Sequence, residues 1–298
     1  MNRTIGCLLL FILGCTASLR AQQQTLPIWP NGDPEPSNAP GPEYDPTTDA
    51  NRIVSGKVTV RFTNVSHPTL AIYPADKKRN TGVGVVVFPG GGYDHLAYNI
   101  EGTEVCDWLN SIDVNCAVLK YRVPEKGRFP DNTEDLEDAQ QAMRIVRAHA
   151  EEWHIDPHRI GVVGFSAGAN LAALLSTHFD YEGKNVPASA ISARPEFQMI
   201  IYPGGFRGKD GKLDPAFTPT PQIPPTFLVQ AENDLTAHVE TSLVYFQALK
   251  DAGLPAELHI FAEGGHGFGL RPTDLPISRW PLQAETWLHT IHMLGQKH

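Results

Sequence analysis

Residues 159–175, RIGVVGFSAGANLAALL, decide how the rest of the chain is read. Ile160 to Phe165 is an unbroken apolar run, the pattern of a strand buried on both faces. It ends in Gly164-Phe165-Ser166-Ala167-Gly168 and passes at once into an alanine- and leucine-rich helix. A serine there is either a helix N-cap or a nucleophile held clear of the sheet. Gly-x-Ser-x-Gly is a weak pattern by itself, but here it occurs once, at the end of a buried strand and the start of a helix. That is the setting a nucleophile elbow requires, because only small flanking residues let strand and helix approach so closely.

Working outward, further continuous apolar runs lie at Val83 to Phe88, Cys116 to Tyr121, Met199 to Tyr202, Thr226 to Ala231 and Ala256 to Phe261. Lys57 to Phe62 alternates as a half-exposed strand with Val58, Val60 and Phe62 on one face, and Thr69 to Tyr73 is its expected partner. Helical spacing falls between most of the strands. The clearest helix is Glu134 to Trp153, where Leu136, Ala139, Met143, Val146, Ala150 and Trp153 form one stripe. Others are expected at Gly102 to Asn110, Ala167 to Thr177, Val239 to Ala252 and Leu282 to Leu294. Strands alternating with helices predict an α/β domain over 51–298, with a mostly parallel sheet covered on both faces. No internal repeat breaks this pattern.

The N-terminus differs. Residues 1–21 read as a signal peptide, with Arg3 before an apolar core from Ile5 to Leu13 and small residues at Ala17 and Ala21. Ile12-Leu13-Gly14-Cys15 offers a second reading, a lipoprotein box with an anchor at Cys15. The apolar run is too short to span a bilayer, so secretion or a periplasmic location is expected. Residues 22–50 are dense in Pro, Gly, Asn and Asp and predict an irregular arm, held to the body through Ile28 and Trp29. The charge of −9 becomes −11 once 1–21, with Arg3 and Arg20 and no acid, is removed. Such a balance excludes a general nucleic-acid binder, which needs a basic surface. Beyond the signal only Cys106 and Cys116 remain; they either pair or stay as two buried thiols, the thiols being the plainer reading.

An elbow serine needs a base. Among twelve histidines, His266 follows the last strand in FAEGGHGFGL, where surrounding glycines free the loop to reach Ser166. His149, His154 and His158 sit near a helix end broken by Pro157, and none of the twelve belongs to a His-Glu-x-x-His zinc pattern. The base needs an orienting carboxylate, and ENDLTAHVE after the strand at 226–231 supplies Glu232 and Asp234. Asp234 is preferred because it lies further into the loop. An oxyanion site is expected in FPGGGY, where Gly91 and Gly92 offer backbone N–H groups beside that of Ala167. Tyr93 and Phe165 are the bulky residues expected to wall the substrate. No metal or organic cofactor is implied.

Together, FPGGGY…EG, LKYRV, RIGVVGFSAGANLA, ND and GGHGFGL resemble the α/β-hydrolase family of secreted bacterial esterases that includes acetyl xylan esterase-like enzymes. LPIWPNGDP and ISRWP are similar to that group as well, so the resemblance covers nearly the whole chain beyond the signal. It departs from the His-Gly-Gly-Gly motif of lipase-like relatives, with Pro89 in the histidine position. The resemblance implies an eight-stranded sheet and Ser166, His266 and Asp234 as nucleophile, base and its partner. It also implies Gly91, Gly92 and Ala167 as oxyanion donors. Only residues 203–225 stand where a lid is usually inserted, and they are expected to leave the site without a large lid. An open site suits acetylated polysaccharide or oligosaccharide. The alternatives are a general short-chain carboxylesterase or lipase-like enzyme, a serine peptidase, and an inactive binding protein.

Overall fold

The structure is a computed structural model describing residues 24–34, 37–51, 53–184 and 186–295; the expected signal peptide and Cys15 lie outside them. Ile160–Phe165 sits near the middle of a sheet of eight strands. They are β1 (Gln24–Pro27), β2 (Thr69–Tyr73), β3 (Gly84–Phe88), β4 (Asn115–Lys120), β5 (Ile160–Phe165), β6 (Gln198–Ile201), β7 (Thr226–Ala231) and β8 (Ala256–Phe261). Their order is β1-β2-β4-β3-β5-β6-β7-β8. Strand β2 runs against both neighbours, and every other pairing is parallel.

Period-two alternation splits each central strand between two cores. Val86, Phe88, Ile160 and Val162 pack with α2 (Glu134–Ala148), α3 (Ala167–Thr177) and α4 (Glu240–Asp251), through Leu136, Met143, Leu171 and Tyr245. Val85, Val87, Val163 and Phe165 pack on the opposite face with α1 (Glu104–Ser111) and α5 (Trp280–Thr290), through Val105, Leu109, Trp280 and Trp287. Full burial of each such side chain contributes about 1.5–3 kcal/mol. All parallel strands therefore end at one edge, and the loops leaving that edge carry the candidate site.

Four local expectations need correction. Lys57 to Phe62 is not one strand: Lys57–Val58 and Phe62–Thr63 join separate two-stranded ribbons, with Ile53–Val54 and His95–Leu96. The backbone between them finds other partners, since Val60 N–H donates to Asn99 and the Val58 carbonyl accepts from Arg271 and Asn99. The arm is not wholly irregular, because Gln24–Pro27 pairs with β2 and closes that side of the sheet. Its Ile28 is fully buried. The helix expected to reach Trp153 ends at Ala148 and continues as turns, with His154 in left-handed backbone, while Ala150 and Trp153 remain buried. Cys106 and Cys116 are bonded, with 5.3 Å between their Cα atoms. Both side chains point into the α1–α5 core, so the bridge ties α1 to β4.

One buried ion pair links the arm, β4 and α2. Arg122 follows β4, and its Nε and Nη2 donate to the Asp138 carboxylate at 3.0 and 2.8 Å. Asp138 also accepts the Arg122 backbone N–H at 3.0 Å and Trp29 Nε1–H at 2.8 Å. Both charged side chains are fully buried. Removing the Asp138 charge leaves the buried guanidinium the more distant Glu137 carboxylate, 3.6 Å away, and such a loss is costly. Asp138→Asn should lower the urea-unfolding free energy by about 3 kcal/mol, against about 1 kcal/mol for Trp29→Phe. Equal losses would mean that the charge contributes nothing beyond a hydrogen bond.

Candidate active site

The turn after β5 puts Ser166 at φ 52, ψ −116, a left-handed backbone for a non-glycine residue. The turn closes because its glycines lack side chains. A Cβ on Gly164 would lie 2.1 Å from the Gly168 carbonyl oxygen, and one on Gly168 would lie 2.0 Å from that of Phe88. The Ser166 N–H donates to Ile201 O of β6, and its carbonyl accepts from Ala169 and Asn170, so the next turn is already helical.

Ser166 Oγ stands 2.9 Å from His266 Nε2, and His266 Nδ1 stands 2.7 Å from Asp234 Oδ2. Asp234 is 1% exposed. Its carboxylate also accepts the backbone N–H of Thr236 and Ala237 at 2.8 and 2.9 Å, and Gln230 Nε2–H at 3.1 Å. An ionised carboxylate only accepts, so Nδ1 carries the proton and Nε2 is left to accept from the serine. The loop holding His266 is tied down by Asn233, whose side-chain oxygen accepts the Gly264 and Gly265 N–H groups. Glu232, the other acid considered, is exposed on the strand end.

Gly92, Tyr93, Ala167 and Ser166 line one cavity with His266. Gly91 adopts φ 134, where an added Cβ would meet the His95 carbonyl oxygen at 1.9 Å, so only glycine turns the chain here. The N–H groups of Gly91, Gly92 and Ala167 donate to no protein group among the described residues. Amides left free beside a nucleophile can receive a developing oxyanion. Tyr93 is 4% exposed, and its hydroxyl donates to Asn170, which in turn donates to the Gly204 carbonyl. Phe165 does not reach this cavity. As the last residue of β5 in the register of Val163, it turns to the opposite face, against Tyr202 and Trp280.

The cavity is about 380 Å³, room for roughly a dozen waters. Residues 203–225 contribute more of it than their composition suggests. Asp214 caps a short turn, Pro215–Phe217, that sets Ala216 and Phe217 in the wall, with Phe217 packed on Phe206. No large lid is inserted, but the site is walled and not shallow. Leu174 and Phe129 add apolar surface, while Glu125, Arg128 and Asp135 supply a polar stretch. Arg128 lies over the Tyr93 ring at 4.1 Å and 3.7 Å from Glu125. Asp135 has the look of an ordinary helix-start acid in the sequence, and Glu125 that of a loop acid; only the fold brings the two together. Asn170, four residues along the elbow helix from Ser166, carried a usable signal: it shares the serine's face.

Burial and the neighbouring Asp135 carboxylate push Glu125 up to about 10, so it is protonated in the folded protein at neutral pH. Its neutral form therefore stabilises the fold below the ordinary carboxyl range, and that contribution is lost as pH rises through the folded value. Glu125→Gln removes this dependence. The melting temperature of the variant should gain on wild type as pH rises from about 5 to about 9, and a constant difference would contradict a shared proton.

The BD-FAE family model matches residues 70–201, and the Prolyl oligopeptidase family model matches 211–276, the part holding Asp234 and His266. An acetylxylan esterase of Xylanibacter ruminicola is 32% identical over 213 residues, which are 63% of this chain and 42% of that protein. The chain thus matches less than half the length of that curated relative. Among solved structures, the acetyl ester-xyloside bifunctional hydrolase from Caldicellulosiruptor lactoaceticus is 33% identical with a TM-score of 0.72, covering 94% of this chain and 100% of that one. MGS-M1, an alpha/beta hydrolase enzyme from a Medee basin deep-sea metagenome library, is 27% identical with a TM-score of 0.63, covering 75% and 92%. The chain belongs to the α/β-hydrolase family, in its acetyl xylan esterase-like group.

Proposed function

We propose that the protein is a secreted carboxylic ester hydrolase that removes acetyl groups from xylan or a related plant polysaccharide. The observation that carries the reading is the hydrogen-bonded series Ser166–His266–Asp234 beside unoccupied backbone amides at one cavity. Ser166 Oγ attacks the acetyl carbonyl carbon as His266 Nε2 takes its proton. The carbonyl oxygen becomes an oxyanion that the amides of Gly92 and Ala167, which border the cavity, and of the adjacent Gly91 would receive. The C–O bond to the sugar then breaks, and the imidazolium gives its proton to the departing sugar oxygen. Water repeats the cycle on the acyl-serine, freeing acetate. Asp234, buried and accepting from Nδ1–H, stabilises the imidazolium that forms in each half.

The polysaccharide part of the reading is supported by the names of the relatives and by the cavity. Its volume exceeds what an acetyl group fills, so a sugar can occupy the rest. A second reading, a general short-chain carboxylesterase, is favoured by the apolar surface of Leu174, Phe129 and Phe217. Glu125, Arg128 and Asp135 weigh against long alkyl chains, which would bury polar groups without hydrogen bonds. The Prolyl oligopeptidase match coincides with the loops bearing Asp234 and His266 and so bears on the machinery, not on the bond cut.

Ser166→Ala and His266→Ala should each lower kcat on an aryl acetate to a similar degree, by roughly a millionfold if they act as one unit. Asp234→Asn should cost less, and Glu232→Gln should leave the rate unchanged. A larger loss for Glu232→Gln would assign the carboxylate role wrongly.

Across aryl esters, kcat/KM should peak at acetate or propionate and fall by hexanoate, with acetate released from acetylated xylan. Each methylene buried in an apolar tunnel would instead gain about 0.8 kcal/mol. A steady rise to octanoate would replace the acetyl esterase by the carboxylesterase.

A further inference from the structure

Glu101 is a carboxyl group that the proposed reaction does not use, yet it is buried behind the reacting atoms. It lies in a π-helical turn, Asn99–Thr103, that leads into α1, and is 5% exposed. Such turns gather at functional sites. One of its oxygens accepts the Gly90 N–H at 2.7 Å, and the other accepts the Tyr202 hydroxyl at 2.9 Å. The same hydroxyl accepts the Gly269 N–H at 3.2 Å, and the Tyr202 ring stands edge-on to the His266 imidazole at 5.1 Å. A single carboxyl group therefore joins three loops: the one bearing Gly91 and Gly92, the one after β6, and the one bearing His266. The approach is close, for a Cβ on Gly90 would lie 2.7 Å from Glu101 Oε2 and 2.8 Å from Ser166 Cβ.

Burying a carboxyl group favours its neutral form. Here burial raises the Glu101 pKa, while the bonds from Tyr202 and Gly90 and the charges of His266 and Arg61 oppose that rise. Both oxygens face donors, the arrangement of an ionised carboxylate.

We propose that Glu101 is a positioning residue of the reaction, holding the oxyanion loop against the His266 loop and favouring, by its charge, the imidazolium formed as Ser166 attacks. The proposal rests on Ser166 being the nucleophile. The groups that face His266 are the Asp234 carboxylate, the Ser166 hydroxyl and the Tyr202 ring, with Glu101 behind Tyr202. Across the cavity stand Asp214, Glu125, Asp135 and Arg128. Of these acidic side chains, Glu101 alone accepts a hydrogen bond from the oxyanion loop. A neighbouring anion favours the protonated imidazole, so removing its charge should extend activity to lower pH while slowing the attack.

The test measures phosphonylation of Ser166 by a fluorophosphonate, in which Oγ attacks phosphorus, fluoride leaves and His266 takes the proton, together with aryl acetate hydrolysis across pH. Glu101→Gln keeps the shape and removes the charge. It should slow phosphonylation about tenfold or more, leave KM within about twofold, and move the acid limb of kcat/KM to lower pH. Tyr202→Phe keeps the Glu101 carboxyl group and its bond to Gly90 but removes one donor; it should slow phosphonylation and move the acid limb less than Glu101→Gln does. Wild-type rates in Glu101→Gln, or slowing with an unmoved acid limb, would overturn the proposal. Should Glu101→Gln not fold, a wild-type phosphonylation rate in Tyr202→Phe would overturn it equally. Failure of the wild-type protein to be phosphonylated would instead remove the nucleophile reading and the proposal with it.

Discussion

The backbone at Ser166 is the constraint on which the rest of the site depends. Holding a non-glycine residue at φ 52, ψ −116 costs on the order of 1–3 kcal/mol, so its surroundings must over-determine it. They do so from three directions. The β6 carbonyl of Ile201 takes the serine N–H, the first turn of α3 takes its carbonyl, and the glycines at 164 and 168 let the helix press against β3 and β5. A central strand supplies the rigidity this needs, since β5 is paired on both edges. The strain thus exposes a hydroxyl above the sheet at the price of local stability, and the two cores on either face supply what offsets it.

Charge is arranged around that hydroxyl in graded burial. Asp234 is sealed at 1% exposure and fully supplied with donors, whereas the His266 side chain keeps 21% of its surface accessible. This division suits proton transfer: the carboxylate is held in one orientation, and the imidazole can meet substrate or water. Asn233, Gln230 and the amides after Asp234 fix the geometry from behind. The Glu125–Asp135 pair forms a different kind of acidic site, where burial and proximity hold a proton at neutral pH beside the cavity.

Much of this was legible in the sequence because the informative elements are local. Strands β2, β5, β7 and β8 and helix α3 have the bounds that their apolar runs or spacing indicate. Glycine-flanked Ser166 stood out because close approach restricts its surroundings to small residues, and His266 because the glycines on either side of it take up positive φ. What was illegible depends on distant partners. Lys57 to Phe62 alternates like a strand but gives its backbone groups to Asn99 and Arg271. Gln24–Pro27 has no pattern of its own and becomes a strand only where β2 offers an edge. Phe165 was misplaced because one step along a strand reverses the face a side chain occupies. Glu101 belongs to the quoted EG pair, but its role is silent in the sequence, since only the fold brings Gly90 and Tyr202 to its two oxygens.

Covalent transfer of the acyl group to Ser166 is the claim on which the chemistry stands, and acid-quenched protein from an aryl acetate reaction tests it most directly. Mass spectrometry of its peptides should find a single acetyl group, on Ser166, that accumulates below neutral pH and is absent from Ser166→Ala. Turnover of the ester with no acylated Ser166, or with the acetyl group on another residue, would contradict it.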